Sequence, residues 1–286
     1  MNLRAPVGLA LLLAASGDPI EAQRATFSAK TEAVRVDVLV TDNGRPLLGL
    51  MPADFELLDN GVAQQIDHAS FEQIPLNVIL TLDMSDSVAG ERLDDLRSAG
   101  RSLLGALKKD EHAALITFSH VVTLGSELTT DFDRVRAGIE AAEPTGGTGL
   151  VDASFASIML GESDVERSLV LVFSDGLDTA SWLAPDAVLD VARRSDAVVY
   201  GITAGRLRRG DFLRDLSELT GGRLYEVEST ADLGPVFVGV LEEFRHRYLL
   251  SYSPNGVSKD GWHRLEVRVK RRGATVKARP GYLAGS

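Results

Sequence analysis

The sequence predicts an α/β chain: a doubly wound, mainly parallel sheet of Rossmann-like type, with a small β-sandwich built from its two flanks. Three observations carry this. Between residues 75 and 245, continuous apolar runs such as Ser168–Ser174 (SLVLVFS) alternate with amphipathic helical segments, the pattern of parallel strands buried on both faces. Upstream, Val34, Val36, Val38 and Val40 recur at every second position, as in a half-buried strand. Downstream, Leu265, Val267 and Val269 do the same.

The elements follow in order. Ala33–Thr41 is a strand closed by the turn Asp42-Asn43-Gly44. Phe55–Leu58 leads into Asp59-Asn60-Gly61, a strand and a hairpin turn, and Gln65–Phe71 is a third strand. The pattern changes at Pro75. Asn77–Leu82 is a strand, and Glu91–Leu107 places Leu93, Leu96, Leu103, Leu104 and Leu107 at helical spacing. Ala113–Ser119 is a strand, with Val121–Leu124 returning beside it as a short edge. Helices are expected at Asp131–Ala142, Leu150–Leu160, Asp186–Arg194, Asp211–Leu219 and Leu233–Phe244, with strands at Ser168–Ser174, Ala197–Ile202 and Arg223–Glu226. Arg247–Tyr252, Trp262–Lys270 and Ala274–Ala278 return to β. Neither flank is long enough to bury a good core alone. Segments 30–73 and 246–284 are therefore expected to pack together, with the 75–245 domain inserted between them.

Residues 1–22 read as a signal peptide, with Arg4, an apolar run from Val7 to Ala15, and small residues at Ala15–Gly17. That run is shorter than the roughly 20 residues of a membrane span. The expectation is an exported chain (periplasmic, cell-surface or secreted) with no stable membrane span once the signal is cleaved. The absence of cysteine excludes disulfides, cysteine-ligated metal, thiol catalysis and a lipoprotein anchor. A net charge of −11 argues against a general nucleic-acid partner. From Phe244 onward ten Lys/Arg face two Asp/Glu, which on strands reads as a solvated basic face.

The chemistry concentrates at strand ends. Asn77–Leu82 runs into Asp83-Met84-Ser85-Asp86-Ser87, where a carboxylate and two hydroxyls stand at alternate positions. Alone this fits a helix cap, a catalytic serine or a metal site. Two more loops bear on the choice: Pro144-Thr145-Gly146-Gly147-Thr148-Gly149, and Ser174-Asp175-Gly176 at the end of SLVLVFS. If Asn77–Leu82 and Ser168–Ser174 are neighbours, Asp83, Ser85, Ser87, Thr148 and Asp175 meet on the rim where ligands bind in doubly wound sheets. All five offer hard oxygen donors, a set suited to Mg²⁺ or Mn²⁺, whereas zinc favours His or Cys.

The order D-x-S-x-S, G-G-T, S-D-G on alternating strands and helices resembles the von Willebrand factor type A domain over about residues 75–245. The resemblance implies a metal-ion-dependent adhesion site with Asp83, Ser85, Ser87, Thr148 and Asp175 as ligands, and one antiparallel edge strand in the sheet. The whole layout also resembles a family of exported bacterial proteins that combine a V-x-V-x-V segment, a D-F-E-L-L-D-N-G-like motif, an A domain and a tail ending R-P-G-Y, here Arg279-Pro280-Gly281-Tyr282.

The expected function is a non-enzymatic, metal-dependent protein-binding or adhesion module whose metal takes an Asp or Glu side chain from a protein partner. Two alternatives stand beside it: an assembly partner of an ATPase, and a serine hydrolase. The hydrolase needs a base beside its nucleophile, and none of the five histidines falls in a strand-end loop joining Asp83 and Asp175; no G-x-S-x-G elbow occurs. Pro144–Gly149 lacks the lysine of a phosphate-binding loop. Asp178 either supports the site or caps the next segment, Asp86 is expected to face solvent, and Trp262 and Tyr282 to pack the sandwich. Arg206, Arg208 and Arg209 are read as a solvated loop.

Overall fold

The computed structural model describes residues 33–71, 74–162, 166–204 and 212–285. The segment 1–22, read as a signal peptide, and Arg206, Arg208 and Arg209 lie outside the described residues.

The N-terminal flank contributes β1 (Val34–Asp42), β2 (Arg45–Pro46), β3 (Phe55–Asp59), β4 (Val62–Gln64) and β5 (Ile66–Ser70). The α/β domain follows as β6 (Leu76–Asp83), α1 (Glu91–Ala106), β7 (His112–Phe118), β8 (Val122–Thr129), α2 (Phe132–Ala141), α3 (Leu150–Leu160), β9 (Arg167–Phe173), α4 (Pro185–Ala192), β10 (Val198–Ala204), α5 (Phe212–Leu219), β11 (Leu224–Val227) and α6 (Leu233–Arg245). The tail adds β12 (Tyr248–Tyr252), β13 (Gly261–Val269), β14 (Ala274–Lys277) and β15 (Gly281–Ala284). Two of these strands, β2 and β15, are too short to leave a periodic signal in the sequence. The edge strand β8 runs five residues beyond the expected Leu124.

The central sheet has the order β11-β10-β9-β6-β7-β8, parallel throughout except for β8, which runs antiparallel to β7. Side chains alternate between two cores, as the period of a strand requires. On β6, Val78, Leu80 and Leu82 face α1, α2 and α6, while Ile79 faces α3, α4 and α5. Thr81 is also on the second face, where its hydroxyl meets that of Ser157 at 2.6 Å. The strand order reverses between β6 and β9, with Leu82 opposite Phe173. A crevice therefore opens at the carboxyl ends of these two strands.

The flanks form two antiparallel sheets, β14-β1-β12-β5 with β2 beside β1, and β15-β13-β3-β4. They enclose a third core of Val36, Val38, Val40, Phe55, Leu57, Tyr248, Leu250, Tyr252 and Leu265. Each sheet mixes strands from both ends of the chain, which is why neither flank needs a core of its own. Tyr282 contributes to this core, whereas Trp262 is 41% exposed.

Arginines fasten the sandwich to the α/β domain. Arg279 is buried and donates to the carbonyls of Ala192 (3.3 Å), Arg193 (2.9 Å) and Ser195 (2.7 Å). It thereby satisfies the open C-terminal end of α4 and meets the negative end of its dipole. Arg167 Nε donates to Asp37 at 2.8 Å. Arg247, fully buried, donates to the Tyr200 hydroxyl and to the Gly221 carbonyl.

Candidate metal centre

Asp83 closes β6 and is fully buried; Ser85 is 2% exposed and Thr148 5%. The Asp83 carboxylate accepts the Ser85 N–H at 2.9 Å through Oδ1 and the Ser174 hydroxyl at 2.7 Å through Oδ2. The hydroxyls of Ser85 and Ser87 are 3.0 Å apart. Ser87 Oγ donates to Asp175 Oδ1 at 2.6 Å across the crevice. Thr148 reaches the same place from the second loop, for its Oγ1 lies 3.5 Å from the position a Cβ on Gly176 would take. The two carboxylates and three hydroxyls singled out in the sequence are thus brought to one rim.

The loops are held there by backbone bonds. Met84 N–H donates to the Phe118 carbonyl, and the Met84 carbonyl accepts from Thr145 N–H. Asp86 N–H donates to Gly146 O at 3.0 Å, and Asp86 Oδ1 accepts Gly146 N–H at 2.9 Å. Asp86 faces solvent as expected, yet it also stitches the first loop to the second. Gly146 has φ +67, a conformation that favours glycine. Gly149 sits where a Cβ would come within 2.8 Å of the Ser119 carbonyl. Thr148 is clamped by its own carbonyl, which accepts from Thr179 (2.8 Å) and Ala180 (3.0 Å). Asp178 Oδ2 accepts Val151 N–H at 2.9 Å, so it caps α3, the helix that begins just after Thr148.

The helix-cap reading of the serines finds no support. Gly90 is the N-cap of α1, without a side-chain cap bond, and Ser85 precedes a three-residue 3-10 turn, again with no cap bond from its side chain. The nucleophile reading fares no better. Among the described residues no histidine hydrogen-bonds Ser85 or Ser87. One histidine does stand closer than the sequence suggested: His120, just past the end of β7, packs its ring against Gly146.

Burial pushes the Asp83 carboxyl above the usual carboxylate range, the negative charge of Asp175 adds to the rise, and the bonds from Ser85 and Ser174 oppose it. Such a site gains from a cation. Its oxygen-only donors fit a hard divalent ion. Among the described residues no group of three or more His, Asp or Glu side chains could hold a metal, so a site here depends on the hydroxyls.

Two participants had escaped the sequence reading. Ser174 belongs to the S-D-G motif, but its bond to Asp83 depends on β6 and β9 being neighbours. Arg92, in the first turn of α1, donates from Nη1 to Asp175 Oδ2 at 2.6 Å.

Residues 78–177 match the family model of the von Willebrand factor type A domain. Among curated proteins, the inter-alpha-trypsin inhibitor heavy chain H2 of Sus scrofa is 25% identical over 181 residues, 57% of this chain and 19% of that one. The chain thus spans about a fifth of that relative's length. Among solved structures, a von Willebrand factor type A protein from Catenulispora acidiphila aligns with 90% of this chain and 75% of its own, with a TM-score of 0.53 at 11% identity. Proximal thread matrix protein 1 of the mussel byssus, solved with zinc in its MIDAS motif, aligns with 63% of this chain and 48% of its own, at a TM-score of 0.55 and 14% identity. These two likenesses concern the fold. Residues 78–177 are thus a match to the von Willebrand factor type A domain, and the α/β fold around them is of that type.

Proposed function

We propose that the chain is a non-enzymatic, exported binding module that holds Mg²⁺ or Mn²⁺ at Asp83, Ser85, Ser87, Thr148 and Asp175 and engages an acidic side chain of a protein partner there. The observation that carries this reading is the hydrogen-bonded run Asp83–Ser85–Ser87–Asp175 across the strand-order reversal. Von Willebrand factor type A domains mediate protein–protein interactions and can bind a divalent metal at such a site.

The donor set accounts for the role of the ion. Bound there, a divalent cation would offer an open coordination position to a carboxylate. Three of the five donors are neutral hydroxyls, so the side chains bring two negative charges at most and leave the ion receptive to another. Ser174 holds Asp83 in place, and the bonds from Thr179 and Ala180 hold Thr148. The surrounding rim suits a protein: Leu177 is 59% exposed and Trp182 93%, on the loop that follows Asp175. Exposed aromatic and aliphatic side chains beside a polar site are typical of protein interfaces.

Thermal melting with Mg²⁺, Mn²⁺ or Zn²⁺, and then with chelator, tests the site. Metal at a hundred times its Kd should stabilise the fold by about 2.7 kcal/mol, and Asp83→Ala should abolish the gain. An unchanged melting temperature at millimolar metal would overturn the reading. Labelling by a fluorophosphonate probe that disappears in Ser85→Ala would instead favour the hydrolase.

A further inference from the structure

Arg92 is placed where a cation belongs. Its Nη1 is 2.6 Å from Asp175 Oδ2 and 3.2 Å from the Ser87 carbonyl. Both acceptors come from the proposed ligand set: one is a ligand carboxylate, the other the backbone of a ligand serine. The Asp175 side chain is fully buried while that of Arg92 is 53% exposed. Among the described residues Arg92 is the one cation that forms an ion pair with Asp175. The position is not a favourable one for the helix, because the first turn of α1 carries the positive end of the dipole. The contact with Asp175 offsets that.

We infer that Arg92 is a resident counter-cation that competes with the divalent metal for Asp175 and sets the metal affinity of the site. The inference rests on the proposed reading of Asp175 as a metal ligand. A guanidinium beside Asp175 satisfies one carboxylate oxygen and supplies one positive charge to a rim with two carboxylates. A divalent ion at the same carboxylate would place like charges within a few ångströms of each other. Arg92 must then swing out, which its long stem and exposed head allow. Metal binding therefore exchanges one ion pair for another, and the free energy of the Arg92–Asp175 pair is subtracted from the affinity. For a half-exposed pair that subtraction is modest, on the order of a two- to fivefold weakening.

The test uses the full chain in wild-type form and as Arg92→Ala, Arg92→Lys and Asp83→Ala, with Mg²⁺ titrated by calorimetry and by thermal melting at constant ionic strength. Arg92→Ala should bind Mg²⁺ about two- to fivefold more tightly than wild type, and its melting temperature should rise more between chelator and saturating Mg²⁺. Contributions of residue 92 to the helix itself are the same in both conditions and cancel in that difference. Arg92→Lys keeps the charge without the planar fork and should fall between the two. If wild type binds Mg²⁺ and Arg92→Ala binds it equally or less tightly, Arg92 does not compete and the inference is overturned while the metal site stands. If wild type shows no binding but Arg92→Ala does, the wild-type chain is not a Mg²⁺-binding module, and Arg92 excludes the ion from Asp175 rather than tuning its affinity. If neither responds and both melt as Asp83→Ala does with and without metal, the metal reading and the inference fall together.

Discussion

Asp83 and Asp59 are both fully buried carboxylates at the end of a strand, and the protein treats them in opposite ways. Asp59 ends β3 and is closed in by partners: Tyr252 Oη donates to Oδ2 at 2.8 Å, Tyr282 Oη to the same oxygen at 3.1 Å, and His263 Nδ1 lies 2.7 Å from Oδ1. Those donors come from three tail strands. His263 is 1% exposed, and its Nε2 has no hydrogen-bond partner among the described residues. Asp83 receives the Ser85 N–H and the Ser174 hydroxyl, and the second carboxylate, Asp175, stands across the crevice. A closed carboxylate holds two chain ends together. The Asp83–Asp175 pair has no such cage, and its one ion pair among the described residues is that of Asp175 with the half-exposed Arg92.

The comparison can be broken by mutation. The largest expected effect is that of Asp59→Ala, which strips Tyr252, Tyr282 and His263 of their acceptor and should cost about 3–5 kcal/mol, read by denaturant unfolding. Asp83→Asn should cost far less in the absence of metal, because it removes a buried charge that burial already disfavours. Equal losses from the two would erase the distinction. Next comes Ser174→Ala, which deletes one bond to Asp83. About 1 kcal/mol of stability should be lost, together with a weaker response to Mg²⁺. Retention of the full wild-type Mg²⁺ response would mean that Ser174 does not position Asp83.

The smallest effect is an alkaline one, to which the sandwich contributes through two tyrosines. Burial raises the Tyr252 phenol and pushes that of Tyr282 up to about 12. Below pH 10 both phenols are neutral, folded or unfolded. Above it the unfolded chain releases protons that the folded chain retains, so stability falls as pH rises from 10 towards 12. Tyr282→Phe should make that decline shallower in pH-dependent melting, whereas Asp83→Asn should leave its slope unchanged.

Much of the fold was legible because strands buried on both faces need continuous apolar runs, and half-buried strands need alternation. β6, β9 and β1 all follow those rules. β15 left no such trace, since four residues held by β13 carry no period of their own. The R-P-G-Y ending is visible as a motif, but the work of Arg279 is not. Its acceptors are the last carbonyls around α4, up to 87 residues away, and backbone acceptors have no sequence signature.

The five oxygen-bearing residues could be singled out in the sequence because their types, their alternate spacing and their places at strand ends are local properties. What joined them was the order of the sheet. Only the β6–β9 adjacency brings Ser87 to Asp175, 88 residues on, and Ser174 to Asp83, 91 residues on. The same holds for Arg92, an ordinary charged residue in a helix until the fold sets it 2.6 Å from a carboxylate 83 residues away. Sequence by itself determined the chemistry available at each strand end. Tertiary structure decided which ends meet, because electrostatic and hydrogen-bonding energies depend on distances of a few ångströms that no spacing along the chain records.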